Sequence, residues 1–178
     1  MPDSSIHAAP LVLVLGGTRS GKSRIAEDLV RGLAGPDGGT TYVATAALDP
    51  ADVDHAARIA THRDRRPAAW TTIECPDPAR LAALLADTGG PILLDSLGTW
   101  VAGHPDLAPD GGALAAALRT RTDPTVVVSE EVGWSLHAPT AVGRRFVDAV
   151  GTVNQDVAAV ADRVLLVVAG RILELPPC

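Results

Sequence analysis

Eight consecutive residues, Gly16, Gly17, Thr18, Arg19, Ser20, Gly21, Lys22 and Ser23, fit the spacing G-x-x-x-x-G-K-[ST]. Its glycines let a loop turn tightly enough for backbone N–H groups to surround a phosphate, and a helix starting there adds the positive end of its dipole. In such a loop Lys22 reaches the β and γ phosphates of a purine nucleoside triphosphate, and the Ser23 hydroxyl ligates Mg²⁺. A second metal-directed oxygen comes from Asp95, the carboxylate that closes the apolar run Ile92, Leu93, Leu94. At a strand end in a phosphate-loop fold such a carboxylate holds Mg²⁺ directly or through water.

A second cluster lies at residues 58–67, where Arg58, Arg63, Arg65 and Arg66 surround His62 in a chain of net charge -6. Guanidinium groups suit bidentate phosphate binding. An imidazole among them could attack phosphorus and form a phosphoramidate, and like-charge repulsion would favour its neutral, nucleophilic form. Taken alone, the cluster reads better as a solvated helix end whose basic side chains complement the dipole. His55 is a rival nucleophile, seven residues earlier on the same helical face but with fewer arginines nearby. Glu74 is unremarkable by itself, and Trp70, Trp100 and Trp134 read as packing residues.

These groups need a scaffold, and the apolar pattern describes one. Residues 11–15 are apolar throughout, as in a strand buried on both faces of a parallel sheet. A helix follows the glycine loop, with Ile25, Ala26, Leu29, Val30 and Leu33 on one side. Strands are expected at 41–44, 91–95 and 125–128, with a strand end at Ile73. Asp49 and Pro50 read as an N-cap and first turn opening a helix to about His62. Leu81, Leu84 and Leu85 mark another helix, residues 103–112 a loop, and 114–118 a short helix. A long helix after Pro139 carries Val142, Phe146, Val150, Val153 and Val157. Strands at 164–168 and 171–175 flank the turn Ala169-Gly170, so one of them runs antiparallel. Alternating strands and helices mean an α/β fold with a mostly parallel sheet. Ligands of such sheets bind beyond the C-terminal strand ends, which puts the chemistry just after Leu15, Ala44, Asp95 and Ser129.

With 178 residues, 47% apolar and 20% charged, the chain is expected to be one soluble domain over 11–178, preceded by a flexible tail at 1–10. The net negative charge argues against nucleic acid as partner. The two cysteines form no metal-ligand or disulfide pattern, and residues 1–15 carry neither a leader nor a membrane span, so the cytoplasm is the expected compartment.

The motifs together resemble the bifunctional adenosylcobinamide kinase and adenosylcobinamide-phosphate guanylyltransferase family. The loop Gly16–Ser23 is similar to the family's G-G-x-R-S-G-K-S. So are the run from Tyr42 through Ala44 and Thr45, the set Arg58, His62, Arg63, Arg66, Pro67, Trp70 and Glu74, and the run 93–97 around Asp95. Residues 128–133 resemble V-S-N-E-V-G, with Glu130 where the family usually has Asn, and Asn154, Gln155 and Asp162 fall in its C-terminal third. The resemblance implies a RecA-like P-loop fold and a homotrimer. It implies phosphorylation of adenosylcobinamide by ATP or GTP, then GMP transfer from GTP to adenosylcobinamide phosphate through a guanylylated histidine matching His62. Lys22 and His62 would be catalytic. Gly16 to Ser23, Ala44, Thr45, Arg63, Arg66, Glu74 and Asp95 would bind nucleotide, with Ser23 and Asp95 on Mg²⁺.

Two rivals remain on the residues alone. A P-loop kinase for another small molecule would keep Lys22 and Asp95 without needing His62. A nucleotide-dependent switch would need a segment that responds to the γ-phosphate, and neither a clear one nor a guanine-reading N-K-x-D run is present in the sequence.

Overall fold

The computed structural model describes residues 10–36, 38–46, 66–134 and 138–177. Seven strands form one sheet: β1 (Leu11–Gly16), β2 (Thr41–Ala44), β3 (Thr71–Glu74), β4 (Ile92–Asp95), β5 (Thr125–Glu130), β6 (Arg163–Val168) and β7 (Arg171–Leu175). Their order across the sheet is β3-β2-β4-β5-β1-β6-β7. All neighbours are parallel except β6 and β7. This is the expected α/β architecture, with its single antiparallel strand at the chain's end.

Five helices are described: α1 (Lys22–Ala34), α2 (Leu81–Asp87), α3 (Leu97–Gly103), α4 (Gly111–Arg119) and α5 (Ala141–Ala158). The central strands are buried on both faces, and successive side chains point to opposite sides. Val12, Val14, Leu93, Val126, Val128 and Leu165 therefore meet Ile25, Ala26 and Val30 of α1 on one face. Leu11, Leu13, Leu15, Leu94 and Val127 meet Leu81, Leu85, Leu97, Leu114, Val150, Val153 and Val157 on the other. The helix expected at residues 49–62 lies outside the described residues, as does the tail at 1–9.

Four expectations need correction. Residues 97–103 form α3, an element the sequence reading lacked. Its start is set by Ser96, whose hydroxyl accepts from the Thr99 N–H while the Thr99 side chain reaches back to the Ser96 N–H, and Leu97, Trp100 and Val101 are its buried face. The loop expected at 103–112 is shorter, because Asp110 caps α4 through the Ala113 N–H at 2.8 Å and starts the helix at Gly111. Of the tryptophans, Trp100 is buried and donates from Nε1 to the Pro78 carbonyl at 2.9 Å. Trp134 is instead 71% exposed, and Val142, expected on the packed face of α5, is 60% exposed.

The edge of the sheet opposite the phosphate loop is tied by one side chain. Arg121, buried between α4 and β5, donates to the carbonyls of Leu85, Thr88 and Gly90 and to Thr125 Oγ1. The helix end of α2 and the turn into β4 offer these carbonyls no other described side chain. Arg121→Met keeps the bulk but leaves three carbonyls without the charged donor, so the protein should lose about 3 kcal/mol of stability in urea unfolding, within the range for such groups. Nucleotide affinity below the transition should stay unchanged.

Candidate active site

The centre of the site is the end of β1. On one side Gly16 lies opposite Glu130 of β5, and on the other opposite Val167 of β6. A Cβ at Gly16 would sit 2.5 Å from the Ser20 hydroxyl oxygen and 2.8 Å from the Val167 carbonyl oxygen, so no side chain fits. From there the loop closes on itself. The Ser20 N–H donates to the Gly17 carbonyl at 3.2 Å, and the Lys22 N–H to Ser20 Oγ at 3.3 Å. Arg19 and Gly21 take left-handed conformations, φ 59° and 96°. The N-cap Gly21 brings no side chain to α1 and the first turn holds no acid, which suits that helix end to an anion. The β6–β7 turn braces the loop from outside, the Gly170 N–H donating to the Ser20 carbonyl at 2.8 Å.

Lys22 points back across this loop. Its Nζ is 3.5 Å from the Gly17 carbonyl and 3.9 Å from Glu130 Oε1, and its side chain is 12% exposed. Glu130 is held from the other side, where Oε2 accepts from Ser96 Oγ at 3.0 Å and from the Gly98 N–H at 2.9 Å. Its carboxyl is pushed above the usual range by burial. Lys22 and the two hydrogen bonds oppose that shift, and Asp95 adds to it. The backbone there is fixed by α5: Asn154 accepts from Ser129 Oγ at 2.6 Å and donates to the Glu130 carbonyl at 3.1 Å.

Asp95 ends β4, the strand next to β5. Its Oδ2 accepts from the Tyr42 hydroxyl at 2.7 Å. Burial, then the carboxylate, pushes the Tyr42 phenol strongly up, so it is a fixed donor. The Arg66 guanidinium carbon lies 3.3 Å from the centre of the Tyr42 ring, and Arg66 NH1 donates to Thr72 Oγ1 at 3.1 Å. Such stacking suits a guanidinium's flat, weakly hydrated faces. Thr45 is buried, its hydroxyl within hydrogen-bonding distance of the Ser96 carbonyl, the Ser96 N–H and Thr99 Oγ1. It ties the β4–α3 turn, which carries Asp95.

Of the expected residues, Gly16 to Ser23, Asp95 and Ala44 thus gather at the C-terminal ends of β1, β4 and β2; Arg66 precedes β3, toward the opposite end of that strand, and only its guanidinium reaches across to Tyr42. Register places Glu74 beside Ala44 and Ala44 beside Asp95. Glu74 is exposed on β3, four strand spacings or about 19 Å from β1. That distance keeps it from phosphates seated in the loop. His62 and Arg63, with Arg58 and His55, lie outside the described residues.

Hard oxygen donors suit Mg²⁺, which binds through one or two carboxylates, substrate phosphates and water rather than a protein cage. Asp95 and Ser23 fit that mode. Among the described residues no group of three His, Cys, Asp or Glu side chains could hold a metal, so phosphate oxygens would complete the shell.

Glu130, Tyr42, Asn154 and Gly170 have site positions that sequence reasoning did not assign. Only Glu130 had a local signal, as a carboxylate two residues beyond the apolar run 126–128, the same sign that singled out Asp95.

A family model described as cobinamide kinase / cobinamide phosphate guanyltransferase matches residues 12–175. The chain is 38% identical over 169 residues to the bifunctional adenosylcobalamin biosynthesis protein CobP of Pseudomonas aeruginosa, covering 89% of this chain and 92% of that one. It is 37% identical over 181 residues to the bifunctional adenosylcobalamin biosynthesis protein CobU of Salmonella typhimurium, covering 90% and 96%.

The contacts at Gly16 generate a paired expectation. Gly16→Ala forces a methyl against a backbone carbonyl, and should cost about 1–3 kcal/mol of stability and weaken triphosphate binding at least tenfold by titration calorimetry. Gly17→Ala meets nothing within 4 Å and should leave stability within about 0.5 kcal/mol.

Proposed function

The chain belongs to the cobinamide kinase / cobinamide phosphate guanyltransferase family, and from that premise we propose how its residues divide two transfers. The enzyme is bifunctional, a kinase and a guanylyltransferase of cobalamin biosynthesis. The observation that carries the assignment of residues is the closed loop at Gly16–Ser23, with Lys22 turned toward its mouth between Gly17 and Glu130.

In the first transfer the aminopropanol hydroxyl of adenosylcobinamide attacks the γ-phosphorus of ATP or GTP, and the nucleoside diphosphate leaves. Loop amides and Lys22 hold the phosphates and neutralise charge on the departing oxygen. Ser23 and Asp95 would hold Mg²⁺, which supplies further charge neutralisation at the phosphates. Tyr42 fixes Asp95 for that task by occupying one of its oxygens. In the second transfer His62 attacks the α-phosphorus of GTP and expels pyrophosphate. The phosphate of adenosylcobinamide phosphate then attacks the phosphoramidate, releases His62 and yields adenosylcobinamide-GDP. Arg63 and Arg66 neutralise charge on the attacked and leaving phosphates.

Support for His62 is the family match over residues 12–175, which includes the segment of arginines around it; Arg66 of that segment stacks on Tyr42, whose hydroxyl holds Asp95. Ala44, Thr45 and Glu74 line the same end of the sheet and would serve the nucleotide or acceptor there. We further infer that residues 11–178 act as one domain and that the enzyme works in the cytoplasm. Among the described residues no helix is long and apolar enough to cross a membrane. A homotrimer is the proposed assembly; β7 is an edge strand with Leu173 and Val168 exposed on one face of the sheet and Ile172 on the other, and such an edge suits burial between copies.

Incubation with α-labelled GTP and Mg²⁺ should leave label on the denatured protein that acid removes. Lys22→Ala should abolish both transfers. His62→Ala should lose the label and GMP transfer while keeping most kinase activity, and His55→Ala should spare both. Label that survives in His62→Ala but not in His55→Ala would move the nucleophile to His55; label surviving in both would remove these two histidines from the mechanism. Light scattering at micromolar concentration should give a trimer mass, and a monomer mass would refute that assembly.

A further inference from the structure

Beside the phosphate loop, the chain leaving β5 and the middle of α5 form a cavity of about 340 Å³ that neither transfer as described above uses. It adjoins the loop directly: Glu131, which lines it, donates its N–H to the Gly16 carbonyl at 3.1 Å. Asn154 is a fixed wall, because its amide is engaged at one end by Ser129 Oγ and at the other by the Glu130 carbonyl. The remaining polar groups are open. The side chains of Asp148 and Gln155 have no hydrogen-bond partner among the described residues, and Glu131 uses only Oε1, on the Gly133 N–H at 3.1 Å.

Gly151 keeps this space clear. It lies inside α5, where glycine weakens a helix. A Cβ there would meet nothing within 4 Å, so close packing does not require the glycine. What its missing side chain leaves open is the cavity, which it lines.

The lining selects the guest. It holds two carboxylates and no Lys or Arg, so it repels phosphate and attracts N–H donors. A primary carboxamide has two N–H donors and a carbonyl acceptor. Asp148 and Glu131 can accept from the donors while the Gln155 amide donates to the carbonyl. The volume suits such an arm and is too small for a macrocycle. Trp134 follows the lining residue Gly133 in the chain, and its indole is 71% exposed, a surface for a flat conjugated ring. The acceptor proposed above joins these features, since its corrin ring is conjugated and carries primary carboxamide arms around its rim. We propose that this cavity is the acceptor subsite, taking one carboxamide arm of the corrinoid and so holding the substrate beside the phosphate loop. This rests on adenosylcobinamide being the acceptor, as proposed above.

The test is the full-length Gly151→Leu enzyme beside wild type, a change that fills the cavity from a helix position that favours leucine. Calorimetry with adenosylcobinamide and, separately, with ATP reads the two affinities, and phosphoryl transfer reads the acceptor KM. The expected result is corrinoid affinity weaker, and acceptor KM higher, by at least about tenfold, with ATP affinity unchanged. Asp148→Ala and Gln155→Ala add no bulk and should show the same split, and they carry the test if Gly151→Leu does not fold. Unchanged corrinoid affinity overturns the proposal. An equal loss of ATP affinity also overturns it, since the change would then have reached the phosphate loop. So does an altered mass by light scattering, since the cavity would then be a contact between copies. Wild type that binds adenosylcobinamide without phosphorylating it overturns the kinase reading alone; wild type that does not bind it overturns both.

Discussion

Everything at the site depends on β1 being paired in parallel along both of its edges. A strand in that position has no solvent face, which is why residues 11–15 are apolar throughout and buried. The same pairing places two neighbours at its end, Glu130 and Val167, and leaves Gly16 no room for a side chain. The loop that follows closes over a point already crowded by backbone. Its amides converge because the carbonyl of Val167 and the hydroxyl of Ser20 occupy the space a Cβ would need, and the Gly170 N–H meets the Ser20 carbonyl from the adjacent hairpin. Phosphate binding here is a property of strand order as much as of the glycine-rich sequence.

Strand order also arranges the charges. Lys22 and Glu130 neighbour each other at β1 and β5; Asp95, Tyr42 and Arg66 form the next group at β4 and β2. In both groups a carboxylate is held in place by uncharged donors. Ser96 and Gly98 hold Glu130, and Tyr42 holds Asp95. An acid fixed by neutral hydrogen bonds keeps its position while its counter-ion moves, which a salt bridge alone would not secure. The β4–α3 turn serves both groups at once, since Ser96 bonds Glu130 and Thr45 binds the turn from β2.

Much of this was legible in local pattern. The central strands announced themselves by apolar runs, and the phosphate loop by spacing, because both are short-range features with one physical solution. Asp95 was legible for the same reason, as a carboxylate closing a buried run. What local pattern misses is adjacency. Glu130 acquires its position only because β5 inserts between β1 and β4, and Tyr42 its role only because β2 pairs with β4; neither pairing can be read within a window of residues. α3 is not legible in the sequence because seven residues carry little periodicity. Trp134 and Val142 were expected to pack because they are apolar, yet an apolar residue at the surface breaks no physical rule. The reverse holds for a half-buried carboxylate such as Glu130, whose desolvation is tolerated where hydrogen bonds and a cation meet it.

The two charge groups also bear on how one edge can support transfer at two different phosphorus atoms. β2 and β5 are two spacings apart, about 10 Å, and both groups sit on strands inside a fully paired sheet. A scaffold paired on both sides does not slide, so a change of reaction cannot come from moving Lys22's strand relative to Arg66's support. It has to come from the nucleophile. In the kinase step proposed above, the hydroxyl meets a terminal phosphate held in the loop by Lys22. In the guanylyl transfer proposed above the nucleophile is a side chain of the protein, and Arg66, which stacks on Tyr42, lies on the other side of β4. The choice between phosphoryl and nucleotidyl transfer is then a choice between two approaches to one rigid edge, and the residues that decide it are those that hold each nucleophile on its own side.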